Sequence, residues 1–242
     1  MVLSIIQARM GSARLPGKVL MRVGGEPLLL LQLNRVSKAK KIDKIVVATS
    51  TQEKDDVIEE LCHEHSIDCF RGSEDDVMRR YYDCAVQYNP KAIVRLTADC
   101  PLVDPVIIDR VIEKFTQDKV DYCANNVPPE TRTFPDGFDV EVFSMQALSY
   151  ANKYTTNKNF REHVTFQFWQ EDAYTSTQYM NDIDCSEYRL TVDYPEDFEV
   201  IEYVFNKLKE KKYFGNMDEI IKIVNNGDMK RKNQKYYFGQ GW

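Results

Sequence analysis

Ile5-Ile6-Gln7-Ala8-Arg9-Met10-Gly11-Ser12-Ala13-Arg14-Leu15-Pro16-Gly17-Lys18 begins as an apolar run and becomes a loop within a few residues. The loop holds two glycines, a serine, two arginines and a lysine. Directly after a buried strand, such a loop offers backbone N–H groups and fixed positive charge in one place, which suits a polyphosphate. Two common phosphate motifs are excluded. Gly17-Lys18 is followed by Val19 rather than Ser or Thr, so this is not a P-loop, and the glycine spacing is not G-x-G-x-x-G. The bland alternative is a strand-to-loop turn with solvated charges.

Working outward, apolar runs alternate with amphipathic segments. Residues 2–8, 44–49, 68–70, 92–97 and 120–124 read as strands, and residues 27–40, 53–65, 74–88 and 105–117 as helices. Val57, Ile58 and Leu61 supply the apolar face of the second helix. Ser73 reads as the cap of the third helix, and Asp104, before Pro105, as the cap of the fourth. The alternation predicts an α/β fold: a mostly parallel, doubly wound sheet with helices on both faces. The rhythm changes after Asn125. Residues 126–137 read as a long loop, of the kind that often carries function. Residues 139–143, 173–179 and 188–192 read as strands. Residues 145–153, capped by Ser144, and residues 161–171, 195–211 and 217–224 read as helices. Residues 225–242 read as an irregular polar tail.

The net charge of −6 argues against a general nucleic-acid binder and makes the cations of the loop 9–18 stand out. The longest apolar run, 28–31, is far too short for a bilayer span, and the first residues lack a signal-peptide pattern. The six cysteines are dispersed without a C-x-x-C pair, which predicts free thiols in a reducing cytoplasm. His63 and His65 beside Cys62 do not complete a zinc set.

Open α/β sheets place ligands beyond the carboxyl ends of their strands. Asp99 lies just past the strand 92–97, where a carboxylate can hold Mg²⁺ together with substrate phosphates. Asp104 reads as ordinary capping. Asp193 taken alone would also be a cap, ahead of Pro195. Two such aspartates plus a cationic loop instead describe a nucleotide-plus-metal site. Asp139 and Glu141 fall on one face of a strand, and with Asp136 they either hydrogen-bond sugar hydroxyls or form a solvated charged edge. Asn125 is a ligand amide or a turn residue. His163 is a general-base candidate or a structural histidine among Val164, Phe166 and Phe168.

The pattern Ala8-Arg9-x-x-Ser12-x-Arg14-x-Pro16-x-Lys18 resembles the signature loop of the CMP-sugar synthetases, the acylneuraminate and 3-deoxy-manno-octulosonate cytidylyltransferases. With Gln7, Met10 and Gly11 in the loop, it is most similar to the spore-coat polysaccharide (SpsF-type) branch. Phe70-Arg71-Gly72-Ser73-Glu74-Asp75-Asp76-Val77 supports that branch. So do residues 96–105, Asp136-Gly137-Phe138-Asp139-Val140-Glu141-Val142-Phe143, Arg161-Glu162-His163-Val164-Thr165 and residues 189–198.

The resemblance implies a single GT-A-like, Rossmann-related nucleotidyltransferase domain over 1–242. Its nucleotide-binding half would span 1–124 and its acceptor-binding, dimer-forming half 125–224. CTP would be the donor and a sugar or sugar acid the acceptor. Arg9, Ser12 and Lys18 would hold the triphosphate, with Ala8, Gly11, Arg14 and Thr97 beside it. Arg71 and Ser73 would approach the nucleoside, and Asp99 and Asp193 would hold Mg²⁺. Arg9 and Lys18, in a polar loop, would carry no core packing. The sialic-acid enzymes have Gly-Gly-Ser where this chain has Met10-Gly11-Ser12, which argues against sialic acid as acceptor. Two rivals remain. A GT-A glycosyltransferase would normally show Asp-x-Asp where this chain reads Thr97-Ala98-Asp99, and a non-catalytic nucleotide binder would be free to lose Asp99 or Asp193. A homodimer is expected through 125–179, where Phe134, Phe138, Tyr154, Phe160, Trp169 and Tyr174 exceed the needs of a polar loop.

Overall fold

The opening apolar run becomes the central strand β1 (Val2–Gln7) in a computed structural model that describes residues 1–210 and 214–239. The chain continues through a small hairpin, β2 (Arg22–Val23) and β3 (Glu26–Pro27), into α1 (Leu28–Val36). Then follow β4 (Lys44–Ser50), α2 (Asp56–Glu64), β5 (Asp68–Gly72), α3 (Val77–Tyr88), β6 (Ala92–Thr97), α4 (Pro105–Asp118) and β7 (Tyr122–Ala124). After the long loop come β8 (Glu141–Ser144), α5 (Met145–Tyr154), α6 (Lys158–His163), α7 (Phe166–Gln170) and β9 (Ser176–Gln178). Helices α8 (Pro195–Glu210), α9 (Met217–Asn226) and α10 (Lys230–Asn233) complete the order.

The seven-stranded sheet runs β5-β4-β1-β6-β8-β7-β9. Strands β5, β4, β1 and β6 are parallel, as the buried, near-continuous apolar runs predict. The sheet is mostly parallel, as expected; the exception is β8, which pairs antiparallel with both β6 and β7. Successive strand residues face opposite layers. Ile6, Val47 and Val94 join α1, α4, α8 and α9 in one core; Ile5, Val46 and Ile93 join α3, α5 and α7 in the other. Among the described residues no helix is long and apolar enough to cross a membrane. All six cysteines are free.

Local chemistry explains where the boundaries moved. Helix α1 stops short of residue 40 because Asp109 accepts the N–H groups of Lys40 (3.0 Å) and Lys41 (2.9 Å), pulling them out of the helix. In α2 the buried face is Ile58 and Cys62, while Val57 points outward. Asp76, not Ser73, caps α3 by accepting from Arg79 N; Ser73 Oγ accepts from Asp76 N and shapes the preceding turn. Asp104 and Ser144 cap α4 and α5 as the sequence predicts. The helix expected over 161–171 breaks in two at Val164, whose φ of 63° places a fully buried side chain in the core. There tertiary burial outweighs the strain of a β-branched residue at positive φ. Residues 188–192 are extended but form no sheet strand; only Arg189 bridges to Asp136. The last long helix is described to Glu210, and Lys211 lies outside the described residues, as do 240–242 of the tail. Within the tail α10 is ordered secondary structure rather than an irregular end. Phe134 and Phe138 are buried in the core and contribute nothing to a surface.

Gly137 fixes where the long loop meets the rest. Its φ is +102°, and a Cβ there would lie 2.3 Å from the Leu190 carbonyl carbon. The backbones of Asp136 and Leu190 bond across this contact, at 2.6 Å from Leu190 N to Asp136 O. Gly137→Ala is expected to lower stability by at least ~2 kcal/mol, read by chemical denaturation, since both the conformation and the space are unavailable to a side chain.

Candidate active site

Strand β1 lies between β4 and β6, and the carboxyl ends of β1 and β6 open a cleft. The loop 9–18 leaves β1 on that edge. Asp55 Oδ1 accepts Met10 N at 2.7 Å, Met10 O accepts Ser12 N and Gly17 N, both at 3.0 Å, and Ser12 Oγ accepts Leu15 N at 3.3 Å. This folds the loop onto itself and leaves the N–H groups of Arg9, Gly11 and Ala13 unmatched among the described residues. Lys54, which sequence reasoning passed over, stands beside Gly11: a Cβ on Gly11 would lie 3.0 Å from its Nζ. Gly17, at φ 72°, turns the chain into a short 3₁₀ segment that begins with Lys18.

Lys18 departs from the expectation of a polar-loop lysine. It is only 8% exposed. Its ammonium donates to Asp99 Oδ2 (2.9 Å), Asp193 Oδ1 (2.9 Å) and Val192 O (2.7 Å), using all three N–H bonds. The two aspartates therefore meet at one point, and Lys18 carries structural weight. Burial alone would lower the Lys18 pKa, but Asp99 and Asp193 raise it, so the ammonium stays charged. Burial pushes the Asp99 carboxyl up, yet Lys18 and a hydrogen bond from Thr97 outweigh it and hold it down at about 2.

Asp193 does not cap α8. Its Oδ1 accepts from Arg14 at 2.8 Å as well as from Lys18, and its Oδ2 accepts from Arg189 at 2.9 Å. The capping task falls to Asp197, in the first turn of α8, which accepts Asp193 N (2.9 Å) and Tyr194 N (3.0 Å) and also binds Arg189. The segment is stitched to the end of β6, with Val192 N donating to Asp99 O at 2.8 Å. The C-terminal part backs it: Asn233 donates to Arg189 O and Asp197 Oδ1, and Tyr236 stacks on Tyr194 at 3.8 Å. Asn233 is not marked in the sequence because its partners lie 36 and 44 residues away; for Asp197 only the Asp193-Tyr194-Pro195-Glu196-Asp197 spacing hints at a second carboxylate, whereas Tyr236, with Tyr237 and Phe238, reads from the sequence as an aromatic that packs the tail, and it packs on Tyr194.

Two recesses flank this junction. One, of about 400 Å³, is lined by Arg9, Ser12, Arg14, Lys18, Asp99 and Asp193, and Ala8 and Thr97 share it. The other, of about 230 Å³, extends toward β8 and takes in Asn126, Asp136, Asp139, Glu141, His163 and Phe238. The predicted acceptor residues differ in availability. Asn125 is fully buried and bonds Phe138 O and Val140 N, each at 2.8 Å, so it holds the loop rather than facing the recess. Asn126 faces it instead. Glu141 is engaged by Tyr122 (2.6 Å), Thr165 (2.6 Å) and an ion pair with Arg95, and Asp136 by Arg189 at 2.6 Å. The His163 ring stacks on Phe166 at 4.3 Å, and burial, reinforced by Arg95, lowers its pKa and favours the neutral imidazole.

Arg71 and Ser73 stand apart from these recesses. The Arg71 guanidinium is held by Ser50 O, Gln52 O, Asp56 and Glu59 at the β5 edge. From the same region Arg80, in α3, reaches a third recess of about 120 Å³, shared with Ala8, Arg9, Val77 and His163. No periodicity or motif in the sequence marks Arg80 as different from a helix-surface arginine.

The comparisons with known proteins follow this geometry. A family model described as cytidylyltransferase matches residues 3–237. The chain is 34% identical over 232 residues to the spore coat polysaccharide biosynthesis protein SpsF of Bacillus subtilis, covering 93% of this chain and 94% of that one. An uncharacterized protein of Methanocaldococcus jannaschii is 37% identical over 205 residues, 82% of this chain and 81% of its own. A cytidylyltransferase structure from Leptospira borgpetersenii superposes with a TM-score of 0.89 at 33% identity, covering 98% of both chains. A CMP:2-keto-3-deoxy-manno-octonic acid synthetase complexed with CTP shares the fold at TM-score 0.62 and 12% identity, over 85% of this chain and 98% of its own. By sequence and by structure, the chain belongs to the cytidylyltransferase family and is a nucleotidyltransferase.

Proposed function

We propose that this nucleotidyltransferase uses CTP to attach CMP to a hydroxyl of a small sugar-type acceptor, releasing pyrophosphate, in the activation of a sugar for surface polysaccharide synthesis in the cytoplasm. One observation carries the reading. The unmatched N–H groups and cations of the loop 9–18, the carboxylates of Asp99 and Asp193, and a polar second recess all open on one edge of the sheet. The SpsF relative is named for polysaccharide biosynthesis, which supports a sugar as acceptor.

In such a transfer the acceptor oxygen forms a bond to the α-phosphorus while the bond to pyrophosphate breaks on the opposite side. Positioning and charge neutralisation dominate, with little covalent work for the protein. Arg9, Ser12 and the N–H groups of Arg9, Gly11 and Ala13 face the triphosphate. Arg14 and Lys18 neutralise the leaving pyrophosphate. His163, uncharged and in the second recess, is the candidate to take the acceptor proton. Arg80 is assigned to the nucleoside in place of Arg71 and Ser73.

The residues also fit a divalent cation such as Mg²⁺. Two carboxylates have oxygens 2.9 Å from one ammonium, so positive charge is already favoured between them. Among the described residues no third His, Cys, Asp or Glu joins them, which suits Mg²⁺ better than a metal that needs a full protein cage. When bound, the ion supplies charge neutralisation at the phosphates. Pairing of two chains through 125–179 is part of the proposal; Tyr150 and Tyr154, both more than half exposed, meet in a tilted ring contact at 4.6 Å on that surface.

Calorimetry is expected to show tighter binding of CTP with Mg²⁺ than of ATP or GTP; equal affinities would leave a phosphate site without base selectivity. Release of pyrophosphate from CTP would separate this reading from a glycosyltransferase. Lys18→Ala is expected to abolish turnover and to cost about 3 kcal/mol of stability, because it leaves buried carboxylates short of a cation. Unchanged melting would show that the ammonium has no structural role. Asp99 and Asp193 should differ in degree. Asp99→Asn is expected to lower turnover by roughly 10²–10³-fold and to lower melting, since it removes a carboxylate that Lys18 favours; Asp193→Asn, which also loosens Arg14 and Arg189, is expected to lower melting further. Sedimentation at micromolar concentration is expected to give a dimer.

A further inference from the structure

Helix α6 (Lys158–His163) is six residues long, and none of its residues is buried. A helix so short has little stability of its own. It nevertheless carries Glu162 and His163 to the second recess. The imidazole is not fixed by hydrogen bonds. Among the described residues none reaches its ring nitrogens, and the ring rests on Phe166 at 4.3 Å. Where those nitrogens stand is therefore set by how the backbone of α6 is seated.

Two anchors seat it, one on each side of His163. After it, Val164 is fully buried, and the Thr165 hydroxyl ties Glu141 (2.6 Å) to His163 O (3.3 Å). Before it stands Arg161. Its Nε donates to Asp76 Oδ2 at 2.9 Å, and one terminal nitrogen reaches the same oxygen at 2.7 Å and Asn152 Oδ1 at 3.1 Å. The other terminal nitrogen donates to Thr155 O at 3.0 Å and Asn152 O at 3.2 Å. One guanidinium thus joins α6 to the end of α5 and to the start of α3, a set of partners that the point charge of a lysine could not match. Asp76 is the cap of α3, accepting Arg79 N at 2.9 Å. The next residues along that helix, Val77 and Arg80, share the third recess with Glu162 and His163. The Arg161–Asp76 pair therefore spans the two helices whose side chains line that recess.

We propose that Arg161 is a positioning residue: paired with Asp76, it holds α6 against α3 and so fixes where the His163 ring stands at the wall of the second and third recesses. Its bearing on the reaction rests on the reading of His163 as the group that takes the acceptor proton. The test is nuclear magnetic resonance of the full-length protein labelled in its three histidines, with His163 assigned by the signal lost in His163→Gln. Arg161→Gln is expected to move the His163 ring signals away from the position that the stacked Phe166 imposes, and to move the titration of the ring up toward that of an exposed histidine. The sign follows from the cause. Burial lowers this pKa, Arg95 adds to the effect, and Glu162 and Glu141 oppose it, so a ring released to water takes a proton more easily. Arg9 and Arg80, which share the third recess, are further cations that such a ring would leave behind. Asp76→Asn is expected to give the same shifts with α3 intact, because asparagine still caps the helix. Arg161→Lys is expected to recover part of the original signal. If Arg161→Gln does not fold, Asp76→Asn carries the test. Lower melting with unmoved His163 signals and titration would overturn the proposal and leave Arg161 a contact of the fold alone. Pyrophosphate release by His163→Gln tests the proton-acceptor reading separately, so that either can fail without the other.

Discussion

Everything at the candidate site turns on one buried cation. The Lys18 ammonium joins a loop that leaves the first strand to a carboxylate past β6 and to another ahead of α8. These segments are remote in sequence, and each would be unstable alone: two carboxylates drawn this close and largely out of water repel each other, and an unpaired buried lysine would shed its proton. Together they form a neutralising cluster, which Arg14 and Arg189 extend. The cluster also restrains the far end of the loop 9–18. A loop pinned at both ends, by Asp55 at Met10 and by two aspartates at Lys18, has less freedom left to lose on binding a ligand.

Arg189 plays the matching role beside the second recess. Its guanidinium bonds Asp136, Asp193 and Asp197, three carboxylates from two segments. The planar fork of arginine suits such sharing, whereas lysine could not reach the same partners in one plane. Because Asp136 is tied to the same group as Asp193, the two recesses are held in fixed relation by electrostatics as well as by the sheet.

Much of this was legible in the sequence because it depends on local pattern. The parallel half of the sheet, the caps Asp104 and Ser144, and the placing of Asp99 at a strand end all follow from runs and spacings of a few residues. The convergence of Asp99 and Asp193 was inferred from two strand ends and a family resemblance, and the geometry brings them to one nitrogen. What could not be read shares one physical cause: it depends on partners far along the chain. Lys18 looks solvated in a polar loop and is buried by residues 81 and 175 positions away. Asn125 and Asn126 are chemically identical neighbours, and only the alternation of β7 against β8 sends one into the fold and the other into the recess. Residues 188–192 alternate like a strand, but Gly137 brings a loop, not a strand, to their side.

Cys100 carries a consequence for the reactivity of the site. Its thiol lines the second recess, beside Asp99 and Asp139. Burial, reinforced by those two carboxylates, raises its pKa well above that of an ordinary cysteine. Oxidants and alkylating agents attack the thiolate, and here almost none forms. A sulfur placed among these carboxylates is thereby kept chemically silent, and the recess is insulated from the redox state of its surroundings.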